Sequence, residues 1–97
     1  MPKEYEIHFQ EGFKNDRYEL LVEGKCVGSG SLTTRNQIAL ADIAKIEAAP
    51  GKQLTIKLPG TGEIAVLKLP KSESFLLVNK KDNQIATEWT DTSPGYV

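Results

Sequence analysis

Apolar side chains recur at every second position through most of this chain, in short runs that end at glycine, proline, asparagine or aspartate. Tyr5, Ile7 and Phe9 alternate with Glu4, Glu6, His8 and Gln10, and Tyr18, Leu20 and Val22 alternate with Glu19 and Glu23. A period of two sends successive side chains to opposite faces, which builds a half-buried β-strand and cannot build a helical stripe. Between these runs, segment 11–16 carries Gly12, Asn15 and Asp16, residue types that turn a chain, so the two strands are expected to pair as a hairpin.

The next turn falls at Gly24, which takes positive φ at little cost, as a tight hairpin loop needs. A third strand over 26–33 puts Cys26, Gly28, Gly30 and Leu32 on one face. Glycines inside a strand mark a bulge, a bend or a close approach. Segment 37–49 admits two readings. Its alanines favour helix, and Pro50-Gly51 would end one. Yet Ile38, Leu40, Ile43 and Ile46 spread over about 200° of a helical wheel. Two strands with a bend at Ala41-Asp42 fit better. Segment 53–58 alternates through Leu54, Ile56 and Leu58 and ends in the turn Pro59-Gly60-Thr61-Gly62. Segment 64–69 is apolar on both faces except for Lys68, as expected of a central strand or one at a sandwich core. After Pro70, segment 72–81 reads either as a short helix or, preferably, as part of a final hairpin in which 74–79 pairs with 84–90. Ile85, Thr87 and Trp89 alternate there and suit a strand.

These elements predict an all-β fold with room for one short helix: a small antiparallel sandwich or partly open barrel of about seven to nine strands. The 97 residues make one domain, 1–97, with a loose C-terminal tail from about residue 91. Such a chain supports one modest core and little elaborate active-site architecture.

The chemistry-bearing residues are few. His8 is the only histidine and stands on the polar face of the first strand, as a solvent-facing residue would. Cys26 is the only cysteine; it lacks the glycine and serine spacing of a papain-like nucleophile and reads as a small buried hydrophobe. One histidine and one cysteine cannot form a Cys-based zinc site and leave a His-based one short of ligands. Gly24-Lys25-Cys26 misses the Ser or Thr of a P-loop, and Gly28-Ser29-Gly30 meets Thr33 where a dinucleotide fingerprint needs its third glycine. No catalytic residue, metal site or cofactor is therefore expected. A net charge of −1 and the absence of aromatics between Tyr18 and Phe75 argue against a nucleic-acid partner. No apolar run is long enough to span a bilayer and no signal segment is visible, so a cytoplasmic protein with no membrane partner is expected.

The order of features at Leu32-Thr33-Thr34, then Ile38-Ala39-Leu40-Ala41-Asp42-Ile43, then Leu54-Thr55-Ile56 resembles bacterial pleckstrin-homology-like domains. The resemblance covers about residues 5–80 in outline. It implies a binding scaffold and a capping helix over 72–81, and no cluster of basic residues suggests a lipid headgroup site.

Charge is uneven along the chain: −3 over residues 1–23, +4 over 24–72 and −2 over 73–97. The acidic first segment can attract a basic partner. The expected function is non-catalytic protein–protein binding, in concrete form a bacterial immunity or inhibitor protein that presents Glu4, Glu6, His8, Glu19 and Glu23 to a basic enzyme. A structural subunit of a phage or secretion assembly, with homo-oligomers, and a small ligand-binding β-domain are the alternatives.

Overall fold

The computed structural model describes residues 2–33, 40–82 and 84–92. Eight strands follow one another: β1 (Lys3–Phe9), β2 (Asp16–Val22), β3 (Lys25–Leu32), β4 (Asp42–Ala48), β5 (Gln53–Leu58), β6 (Glu63–Lys68), β7 (Phe75–Lys81) and β8 (Gln84–Thr90). They form two four-stranded sheets, sheet A in the order β4-β1-β7-β8 and sheet B in the order β3-β2-β5-β6. Every neighbouring pair is antiparallel except β1 and β7, which run parallel at the centre of sheet A. No helix occurs among the described residues. Residues 43–48 lie in β4, whereas the first expected strand of segment 37–49 falls largely outside the described residues.

The expected pairing of the first two strands does not form. β1 and β2 belong to different sheets, and the connection between them crosses the end of the sandwich. Phe13 explains the crossing. It is buried and meets Phe9 edge-on at 5.7 Å, so the connection plugs the core instead of closing a hairpin. The same connection is tied to sheet A: Lys80 N–H donates to the Glu11 carbonyl, and Gly12 lies so close to the Lys80 carbonyl that no side chain fits there.

Local hairpins do form where turn chemistry demands them. Glu23 and Gly24 both take positive φ, 50° and 81°, giving the two-residue primed turn whose twist matches the flanking strands β2 and β3. Leu58 and Glu63 close a four-residue loop in which Gly62 N–H donates to the Leu58 carbonyl at 2.8 Å. The final hairpin pairs β7 with β8, so the capping helix implied by the resemblance is strand in this fold.

Tyr5, Ile7, Phe9, Leu20, Leu54, Ile56, Leu76 and Val78 fill the core from both sheets, each with essentially no exposed surface. Tyr5 donates its hydroxyl to the Pro70 carbonyl at 2.6 Å and receives the edge of Trp89 at 5.7 Å. At the other end Tyr18 lies tilted on Phe9 at 4.6 Å and covers the backbone of β3: a Cβ added at Gly30 would stand 2.9 Å from its ring. The glycines of β3 thus admit Tyr18 and Leu20 from the adjacent strand. Cys26 does not share their face. The β2–β3 register shifts between Leu20 and Leu21, so Gly28 pairs with Leu20 and Cys26 with the outward Leu21. The bulge at Val27 reverses the alternation, and Cys26 is exposed, contrary to the expected burial.

Two outcomes test this packing. Gly30→Ala forces the Tyr18 ring against Phe9 and lowers unfolding free energy by about 1–3 kcal/mol. Gly28→Ala meets Leu20 only at 3.6 Å and is expected to be neutral or to stabilise by about 0.5 kcal/mol; urea denaturation of both variants reads the contrast. Burial pushes the phenols of Tyr5 and Tyr18 above their ordinary value of 10.0, with Asp42 adding to the shift at Tyr18. The neutral phenol is the form the fold prefers, so this stabilisation is complete below pH 10 and is lost as pH rises above it. In Tyr18→Phe the alkaline fall in melting temperature becomes shallower.

Candidate functional site

The alternation that buries the core also sorts the charges. On sheet A the outward positions are Glu4, Glu6, His8 and Gln10 of β1, Ile43, Lys45 and Glu47 of β4, Phe75, Leu77, Asn79 and Lys81 of β7, and the even-numbered residues of β8 with Glu88 among them. Acids outnumber bases on this face. Glu4 and Glu47 are directly opposite one another in the β1–β4 register, and both are exposed. On sheet B the outward positions include Arg17, Glu19 and Leu21 of β2, Thr55 and Lys57 of β5, and Ile64, Val66 and Lys68 of β6. There bases outnumber acids. The two outer faces of the sandwich therefore carry opposite charge.

The five residues expected to form one acidic surface are divided by this arrangement. Glu4 and Glu6 share the outer face of sheet A. Glu19 lies on the outer face of sheet B between Ser29 and Lys57 in register. Glu23 sits in the β2–β3 turn, where its carboxylate accepts from Gln53 N–H at 3.1 Å while its own N–H donates to the Gln53 carbonyl at 2.9 Å. His8 is not the solvent-facing residue its position suggested: it is 2% exposed on the outer side of sheet A. Its neighbours in register are Ile43 and Leu77, the ring of Phe75 meets it edge-on at 6.0 Å, and Nε2 lies 3.2 Å from Glu6 Oε1. The imidazole thus lies beside Glu6 and Phe75 with almost no surface exposed.

No family model, curated protein or solved structure matches this chain. Function has to be argued from these surfaces alone.

One charged cluster lies inside the sandwich. Lys80 of β7 reaches across from sheet A, with Nζ 3.2 Å from Asp16 Oδ1 and 3.7 Å from Glu63 Oε1 on sheet B. Each of the three side chains is 15% exposed or less. Glu63 Oε2 is fully buried with no hydrogen-bond partner. The signal was present in the sequence as phase: Asp16 falls in step with Tyr18 and Leu20, Glu63 with Ala65 and Leu67, and Lys80 with Leu76 and Val78. A charge on the apolar phase must enter the core or break the strand. Here three enter together and clamp the open end of the sandwich, below the crossing connection. The cluster holds two carboxylates and one ammonium. Among the described residues no three His, Cys, Asp or Glu side chains group as metal ligands, and no helix is long and apolar enough to cross a membrane.

Of the two readings of segment 64–69, a central strand or one at a sandwich core, the first does not hold. β6 is instead the edge strand of sheet B, and Ile64 and Val66 are 59% and 57% exposed. Removing the ammonium from the internal cluster leaves two carboxylates facing each other in a poorly solvated site. Lys80→Met is expected to lower stability on the order of 3 kcal/mol, whereas Lys81→Met, one residue along and exposed, changes it by less than about 0.5 kcal/mol. Chemical denaturation distinguishes the two.

Proposed function

We propose that this chain is a non-catalytic protein-binding module that engages a basic protein partner through the outer face of sheet A. The observation that carries the reading is the juxtaposition of Glu4 and Glu47. Like charges directly opposite each other on adjacent strands destabilise a sheet. The free protein tolerates that repulsion, and a cationic side chain from a partner would relieve it. Glu6, with Lys45 opposite it in register, and Glu88 on β8 stand on the same outer face, and Ile43, Phe75 and Leu77 supply apolar contact between the charges. Complementary charge of this kind accelerates encounter and sets partner choice more than it adds raw affinity. An inhibitor or immunity protein directed at a basic bacterial enzyme is the concrete form of the proposal.

Binding and stability should move in opposite directions in the test. Glu47→Lys replaces the repulsion with an attractive pair and raises stability by roughly 0.5 kcal/mol or less. The same substitution, combined with Glu4→Gln, is expected to reduce capture of a basic protein from the source organism's lysate at least tenfold at low salt. Wild-type capture should weaken steeply as salt rises. If the double variant retains the same proteins at the same yield, the acidic face is not the binding surface.

A further inference from the structure

The opposite side of the molecule carries a second surface with different chemistry. β6 is an open edge. Leu69, just beyond it, donates its N–H to the Lys52 carbonyl at 2.9 Å and accepts from Gly51 N–H at 2.8 Å, so both its backbone groups point toward the β5 side. Backbone groups alternate in direction along an antiparallel strand, which turns those of Ile64, Val66 and Lys68 to the open side. The other edge of sheet B is blunted: β3 has the bulge at Val27 and two glycines. β6 has no bulge in its register with β5 and no proline, and of its three exposed outward residues two, Ile64 and Val66, are aliphatic and the third is Lys68. An edge strand without a bulge or proline, with two exposed aliphatic residues, is a feature that other chains add to.

Charge selects what could be added. Lys57 pairs with Ile64 in register, Lys68 ends the strand, and Arg17 lies beyond on the same face, with Glu19 the acid among them. Two concavities border the strand. One of about 260 Å³ is lined by Lys57 and Ile64 together with Glu19 and Glu63, and one of about 430 Å³ by Val66 and Lys68 together with Glu23, so Lys68 at the strand end is the base that the edge itself presents. An antiparallel second copy centred on Val66 would set Lys68 opposite the aliphatic Ile64 of its neighbour and leave the ammonium without a counter-charge. An acidic segment would meet it favourably.

We propose that β6 accepts an extended, acidic segment of another protein as an added strand on sheet B, with apolar side chains opposite Ile64 and Val66 and a carboxylate opposite Lys68. The module then has two binding surfaces of opposite charge preference, and this second one does not depend on the acidic face of sheet A.

The probe is a capped heptapeptide in which valine, valine and glutamate alternate with threonines, compared with the same peptide carrying lysine for glutamate. Titration into the full chain should shift the amide resonances of Ile64, Val66 and Lys68 saturably and slow their hydrogen exchange at least tenfold. The lysine peptide should bind at least tenfold more weakly. Val66→Pro removes one edge N–H and should abolish binding; Lys68→Glu, which leaves the backbone intact, should reverse the preference between the two peptides. Glu4→Gln/Glu47→Lys should leave peptide binding unchanged, which separates this surface from the acidic one. The proposal fails if the β6 amides do not respond, if both peptides bind equally, or if Lys68→Glu leaves the preference as it was. It also fails if those amides become protected in the free protein as its concentration rises, because a second copy is then the occupant.

Discussion

Sheet A depends on β1 finding partners on both sides. No neighbour in sequence supplies them: β4 comes from the middle of the chain and β7 from beyond Pro70. What commits β1 to the centre is its inner face, where Tyr5, Ile7 and Phe9 are completely buried. Fully burying a side chain of this size is worth about 1.5–3 kcal/mol, and β1 realises that gain only with a strand on each side and sheet B beneath it. The crossing connection follows from the same constraint. Phe13 must cover Phe9, and a chain that covers the end of the core leaves β1 for the other sheet.

The strand exchange between sheets has an electrostatic consequence. Acidic segments at the two ends of the chain provide β1, β7 and β8 of sheet A and also β2 of sheet B, while the basic middle provides β3, β5 and β6 of sheet B and also β4 of sheet A, the strand that carries Glu47. Uneven charge along the chain becomes opposite charge on two faces. Three charges on inward positions meet between the sheets. Asp16, Glu63 and Lys80 link the two sheets, with one carboxylate oxygen of Glu63 left without a hydrogen bond. A buried ion cluster of this kind adds little net stability over an apolar replacement, although breaking it is costly.

Much of the architecture was legible. Seven of the eight strands were read near their observed positions from period two and turn residues, and β4 emerged from a segment that could also have been a helix. The errors have local causes. A one-residue bulge at Val27 inverted the phase on which the burial of Cys26 was read. His8 alternates with buried neighbours and so reads as exposed, yet it is 2% exposed, with the Phe75 ring edge-on to it and Glu6 at 3.2 Å. Segment 64–69 is apolar on both faces, a pattern that does not distinguish a central strand from the edge strand it is, with Ile64 and Val66 exposed. The acidic surface was read from adjacent residues along the chain, whereas the surface that exists joins Glu4 to Glu47 across a strand pair.

The sequence by itself determined that the chain is β, where it turns, and which side chains each strand keeps from water, because alternation and turn chemistry act over a few residues. Only the tertiary structure decided which strands are neighbours, which edge stays open and which charges face one another. Those outcomes depend on pairings between distant segments, and the energy that selects them comes from joint burial of both sheets and is present in no single segment.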